Sequence, residues 1–224
     1  MKTIRTRAIV LRRTNYGEAD RILQLLTPEG RRSVMARGVR REKSKLAGGI
    51  ELFAVSDVVL GEGKGELGIL TSARLVQFYR HIMEDYDRLQ FGYAVIKLVA
   101  SASESVDEPE WFDMLSEILM ALDARTVAIE LTQAWFYLHY ASLMGHELNL
   151  DRDMAGEKLM ADKVYRYDVS EQGLVEKAGG EVHVEEIKLL RLIATRPLKI
   201  LAQVGGIDEI LPTCLQIARA HASL

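Results

Sequence analysis

Over its first 80 residues the chain offers five short runs rich in β-branched residues, with no helical stretch between them. The runs are TIRTRAIVLRR, RILQLLT, RSVMARGV, ELFAVSDVVLG and ELGILTSARLVQF. They are separated by the turn-like TNYGEAD, the tight PEG and the glycine-rich EGKG. Strands connected so tightly must bury their apolar faces and hide their edges against one another. Closure into a small barrel does both, and the OB-fold is the five-stranded solution. The interval from Arg40 to Gly49, between the third and fourth strands, falls where such a barrel carries a short helix or a long loop.

From about residue 81 the apolar period becomes helical. Tyr86, Leu89, Tyr93, Ile96 and Ala100 mark one face of a first helix. Pro109 opens a second, with Trp111, Met114, Leu115, Ile118, Leu119 and Leu122 as its stripe. The stretch from Thr126 to Met144 is apolar nearly all round and reads as a central buried helix. Ile187, Leu190, Ile193 and Ala194 give a further stripe, and residues 215–222 a last one, while KVYRYDVSEQGLVE reads as a small hairpin. The expected fold class is α+β. It comprises an N-terminal five-stranded OB-fold β-barrel (residues 1–80) and a mainly α-helical domain with a small β-hairpin insert (residues 81–224).

Charge is distributed unevenly between these halves. Residues 1–50 hold thirteen Lys and Arg against four Asp and Glu, whereas the other 174 residues hold 16 against 28. The densest run is Arg37 to Lys45, in which Arg37, Arg40, Arg41, Lys43 and Lys45 face a single acid, Glu42. In antiparallel order, Arg12 and Arg13 at the end of the first strand meet Arg21 at the start of the second. The third strand then delivers the 37–45 run to the same rim, and Arg31 and Arg32 fall at the opposite end. Cations converging from separate segments mark a polyanion-binding surface. The candidate contact residues are Arg12, Arg13, Arg21, Arg37, Arg40, Arg41, Lys43 and Lys45. The nearby aromatics, Tyr16, Phe53 and Phe78, give little stacking platform, so binding is expected to be electrostatic and weakly sequence-dependent.

Other patterns point away from catalysis and cofactors. Gly63-x-Gly65-x-x-Gly68 is followed by a strand, whereas a phosphate loop opens a helix, so it reads as a hairpin tip. Asp151, Asp153 and Gly156 fit the first, third and sixth positions of a calcium loop, but Ala155 and Asp162 fail the fifth and twelfth. His139 and His146 lack a third ligand. Glu18 and Asp20 are expected to pair with Arg13 and Arg21. The lone cysteine, Cys214, excludes an intramolecular disulfide and reads as buried and inert. It also suits a reducing cytoplasm. No signal-peptide core and no apolar window of membrane-spanning length is present. The expectation is a cytoplasmic protein with no catalytic residues, no metal and no cofactor.

Three ordered motifs carry a resemblance: the xYGExD turn at Tyr16–Asp20, the T-P-x-G turn at Thr27–Gly30, and ARGxRRxKS at Ala36–Ser44 leading to Leu46. Together they resemble the N-terminal OB domain of the RecO family, recombination mediators of bacterial DNA repair. RPLKIL (Arg196–Leu201) is similar to a family segment near the C-terminus. Many relatives carry a four-cysteine zinc element in the second domain. The equivalent region here, Leu148 to Val184, has no cysteine, so zinc is not carried over and the hairpin is expected to be held by packing alone. The resemblance implies binding of single- and double-stranded DNA and annealing of complementary strands. It also implies a RecR partner on the OB half, recombinase loading onto coated strands, and docking of the single-stranded-DNA-binding protein tail on the helical half. By the same resemblance the protein is nucleoid-associated. An OB-fold RNA-binding protein and a non-catalytic interaction scaffold are the alternatives left by the residues themselves.

Overall fold

The computed structural model describes residues 3–65, 67–106 and 108–223. Five strands, β1 (Thr3–Tyr16), β2 (Asp20–Thr27), β3 (Gly30–Ala36), β4 (Ala54–Lys64) and β5 (Leu67–Phe78), close into a barrel in the order β1-β2-β3-β5-β4. β3 and β5 form the parallel pair, Val34 opposite Gly68 and Met35 opposite Ile69, and the other pairs are antiparallel. This is the OB-fold arrangement expected from the turn spacing. Of the two connections expected between β3 and β4, the structure has the long loop, which contains a 3-10 turn at Ala47–Gly49. The β4–β5 hairpin carries the 63–68 glycine motif, as the following strand requires; Glu66 in that motif lies outside the described residues.

β1 is long enough to serve two neighbours. Thr3–Ile9 pairs with β4, Ile9–Tyr16 pairs with β2, and the register slips between Val10 and Arg12. Alternation places Ala8 and Val10 in the barrel interior with Leu23, Leu25, Val34, Val58, Leu60 and Leu70. Ile9 and Leu11 are buried too, although they lie outside that interior cluster. Their cover comes from α1 (Tyr86–Ser105), which packs on β1 and β3, while α2 (Glu110–Asp123) packs on β2. The compact unit containing the barrel therefore runs on to Asp123.

The α1 burial pattern corrects the expected face. Tyr86 and Tyr93 are 74% and 48% exposed; Ile96 of the expected face is buried, and with it Phe91, Val95, Val99 and Ala102. Apolar side chains surround most of this helix, so the period alone does not select the face; the barrel wall does. Asp85 caps the helix by accepting from the Arg88 backbone N–H at 3.0 Å. The buried Arg88 guanidinium donates to the Leu122 carbonyl at 3.0 Å, placing a cation on the C-terminal end of α2.

The second unit contains α3 (Ile129–Leu143), β6 (Tyr165–Asp168), β7 (Gly173–Glu176), α4 (Val184–Thr195), the single turn α5 (Leu198–Leu201) and α6 (Leu211–Ala222). α3 packs against α4, α5 and α6, which makes it the central helix that its all-round apolar sequence implied. Trp135 donates its indole N–H to the Arg196 carbonyl at 2.8 Å, fixing the start of the RPLKIL segment.

The cysteine-free stretch is not held by packing alone. Asp153 is 7% exposed and accepts from the backbone N–H groups of Ala155 and Glu157 at 3.0 and 2.9 Å. Asn149 accepts from those of Asp151 and Arg152, and Arg191 donates twice to the Leu150 carbonyl, at 3.0 and 2.7 Å. Of the calcium-like set, the Asp153 carboxylate is thus spent on backbone hydrogen bonds, while that of Asp151 is exposed beside Arg191 at 3.9 Å. Among the described residues, no group of three or more His, Cys, Asp or Glu side chains is placed to hold a metal ion.

Candidate nucleic-acid interface

The loop from Arg37 to Leu46 is fixed to one end of the barrel by a few specific bonds. Gly38 takes φ 62°, which a side-chain-bearing residue adopts only with strain, and its backbone N–H donates to Asp20 Oδ1 at 2.6 Å. The Arg40 backbone N–H donates to the Ala19 carbonyl at 2.9 Å, and the Arg40 guanidinium reaches the Gly17 carbonyl at 3.2 Å. Val39, 3% exposed, and Leu46 pack on the barrel interior. Apolar and hydrogen-bonded residues thus face inward, and the bases between them face solvent. Arg37, Arg40, Arg41, Lys43 and Lys45 are all exposed. Of these, Arg37, Arg41, Lys43 and Lys45 have no side-chain hydrogen bond or ion pair among the described residues.

The remaining candidates divide. Arg21 sits opposite Ala36 in the β2–β3 ladder, next to where the loop departs, and donates to Asn15 Oδ1 at 3.1 Å. Arg12 and Arg13 do not end β1, which continues to Tyr16 and pairs there with Asp20. They stand partway down the wall, opposite Gln24 and Leu23. Arg13 is ion-paired with Glu51 at 3.1 Å, whereas Arg12 is exposed and lines a groove beside α1. Arg31 and Arg32 lie at the far end, beside the Thr27–Gly30 turn, and Arg31 is paired with Glu104 at 2.8 Å.

The acids of the first turn behave differently from expectation. Asp20 is occupied with Gly38, while Arg13 pairs with Glu51 and Arg21 donates to Asn15. Of the aromatics, Phe53 is 1% exposed and Phe78 half-buried, while Tyr16 is 55% exposed at the rim. Tyr93 and Lys97 on α1 border the groove with Arg12; the apolar period marks Tyr93 for the helix's packed face and gives Lys97 no mark at all. An exposed tyrosine inside a run of apolar helix residues carries no sequence signal to distinguish it.

Away from the rim, the titratable groups of the second unit are structural. Burial pushes the Cys214 thiol up to about 12, leaving it protonated and poorly nucleophilic at neutral pH. His221 Nε2 faces the His146 carbonyl at 2.7 Å, which can only accept, so the proton sits on Nε2 and Nδ1 accepts from the Tyr167 hydroxyl at 2.9 Å. His139 lies flat on Trp135, ring centroids 3.7 Å apart, with Nδ1 donating to the Trp135 carbonyl at 2.9 Å.

A five-stranded OB barrel with a solvent-facing cationic loop at one end, followed by a helical unit with a two-stranded sheet, defines an α+β protein of the OB-fold class. The chain belongs to the RecO family. The family described as "Recombination protein O N terminal" matches residues 1–79, and "Recombination protein O C terminal" matches residues 83–223. Among its relatives, the DNA repair protein RecO of Dehalococcoides mccartyi (strain ATCC BAA-2266 / KCTC 15142 / 195) is 34% identical over 227 residues, covering 97% of this chain and 88% of the relative. That of Roseiflexus sp. (strain RS-1) is 31% identical over 207 residues, covering 89% and 72%.

Proposed function

We propose that this chain is a DNA-binding recombination mediator in DNA repair. It binds single- and double-stranded DNA through the barrel rim, anneals complementary strands, and acts with RecR to load recombinase onto strands coated with single-stranded-DNA-binding protein. The observation that carries this reading is the loop of exposed cations, four of them without a partner among the described residues, anchored at one end of the barrel. Phosphates supply the counter-charge that the fold withholds, and counterion release drives the binding. The family membership and the relatives' name supply the DNA repair context.

On this reading residues 1–80 form the nucleic-acid-binding domain and the contact for RecR, and residues 81–224 receive the tail of the single-stranded-DNA-binding protein. The site of action is the bacterial nucleoid; no described helix is long and apolar enough to cross a membrane. The test is anisotropy of a labelled single strand during salt titration, followed by a strand-annealing assay on the same sample, with RNA as competitor. Salt-sensitive binding with annealing supports the proposal. Salt-insensitive binding or none refutes the rim, and preference for RNA refutes the DNA assignment.

A further inference from the structure

We propose that the groove between β1 and α1 is a stacking subsite for one unpaired base of a single strand. Tyr93 is the platform, and Arg12 and Lys97 contact the flanking phosphates. This inference rests on the reading of the barrel as a DNA-binding surface and adds the element that separates single strands from duplex.

The groove holds about 530 Å³ and is bordered by Leu11, Arg12, Leu52, Tyr93, Ile96 and Lys97, a size within the ~300–1,000 Å³ of ligand pockets. Two features of the fold build it. The register slip between Val10 and Arg12 brings two successive side chains, Leu11 and Arg12, to the same groove, one as floor and one as rim. On the opposite wall, Tyr93 and Lys97 are one helical turn apart on α1.

The tyrosine ring is braced. It meets Phe53 edge-to-face, centroids 5.0 Å apart at 63°, while remaining 48% exposed. Phe53 is itself locked: it is 1% exposed, takes φ 55°, and lies so close to Gly92 that a Cβ there would come within 2.9 Å of its ring. A half-exposed aromatic on a rigid support is a platform that loses little entropy when a base stacks on it.

Charge selects the occupant. Arg12 and Lys97 are exposed and have no partner among the described residues. Glu104, the acid bordering the groove, already bonds Arg31 at 2.8 Å. An aromatic between two free cations matches the alternation of base and phosphate in a single strand. β1 continues from Arg12 to Tyr16 at the rim, about 13 Å at ~3.3 Å per residue, so one strand can engage loop and groove together. A duplex keeps its bases stacked inside and cannot reach the ring.

The test compares a labelled single strand of about 15 nucleotides, the same strand with abasic sites, and its blunt duplex, on the full chain. Tyr93→Ala should weaken single-strand binding about tenfold and leave duplex affinity unchanged, while Tyr93→Phe binds as wild type. Wild type should bind the abasic strand as weakly as Tyr93→Ala binds the intact one. Because Tyr93 rests on Phe53, the exposed Lys97→Gln gives an independent reading: it should lower the single-strand salt slope by about 0.7 and not the duplex slope. Equal losses on both ligands, or none on either, overturn the subsite while leaving the rim intact. Undiminished strand binding by Tyr93→Ala, combined with loss of an acidic peptide, assigns the groove to a protein partner and also overturns it. A wild-type chain that binds neither strand nor duplex overturns the DNA reading itself, and the subsite with it.

Discussion

Neutralising Lys43 and Lys45 is the sharpest perturbation of the rim. Both side chains are exposed and bonded to nothing described, and the loop is held by other residues: Val39 and Leu46 in the core, Gly38 on Asp20, Arg40 on Ala19 and Gly17. Lys43→Gln/Lys45→Gln therefore removes two charges without removing an anchor. If the five loop cations each neutralise one phosphate, the loop's contribution to the slope of log K against log salt is about −3.5 for a single strand, at ~0.7 per phosphate. Between about 50 and about 200 mM salt that slope costs roughly a hundredfold in affinity; with three contacts left it becomes about −2.1, and the loss is about twentyfold. Anisotropy titrations at four or more salt concentrations read both slopes directly. Arg13→Gln is the internal control, because Glu51 already neutralises that guanidinium at 3.1 Å, and its slope should stay near the wild-type value. A double variant whose slope matches wild type, or an Arg13 variant that loses as much as the lysine pair, would refute the assignment of phosphate contacts to the loop.

Asp20→Ala removes a negative charge from the rim, so charge counting alone expects tighter DNA binding. The bond from Gly38 expects weaker binding and a stability loss of about 1–3 kcal/mol from an orphaned donor, read by urea melts and the same titrations. Asp153→Ala leaves two backbone N–H groups of the cysteine-free stretch without an acceptor and should destabilise the helical unit by a similar ~1–3 kcal/mol, with the rim's salt slope unchanged. Burial holds the His139 and His221 imidazoles below the ordinary 6.5, so the unfolded chain takes up protons that the folded one refuses. Stability from these groups is complete above that value and drains away as the pH falls toward their folded values. The melting temperature should drop between about pH 7 and about pH 5.5, and less steeply in His139→Gln; an equal drop in that variant would remove the histidine from the cause.

The barrel was legible because its determinants are local. Turn residues at Thr27–Gly30 and alternation along five runs specify which strands pair and which faces are buried, and the order β1-β2-β3-β5-β4 follows once the set must close. The stripe of α2 was legible for the same reason, all six of its marked residues being buried. α1 was not, since apolar side chains surround it and the face is chosen by a barrel wall distant in sequence. The rim was legible in outline, because strand direction alone carries the 37–45 run to the Arg21 end. Its detail depends on competition that no spacing records. Asp20 had a backbone donor available, Glu51 arrived from beyond the loop to claim Arg13, and β1 ran three residues past Arg13.

Competition of that kind also explains why the unpaired loop cations are informative. Several bases elsewhere are neutralised, Arg13 by Glu51, Arg31 by Glu104, Arg74 by Asp57 and Lys163 by Glu176, but no other stretch of the described residues gathers as many unpaired cations as the loop. Folding for stability alone would pair or disperse them, because like charges held within a Debye length of about 8–10 Å repel. Instead the neighbouring acids leave the loop cations unpaired. Asp20 binds backbone, Glu18 is exposed in the adjoining turn, and Glu42 has no bond to any loop cation among the described residues. The repulsion is offset by anchors that are not electrostatic: a buried valine, a leucine, and hydrogen bonds to the β1–β2 turn. A loop made rigid by its apolar and backbone contacts while its charges stay free keeps its full attraction for a polyanion and loses little conformational entropy on binding one. A solvated loop of the same composition would have the charge without the preorganisation.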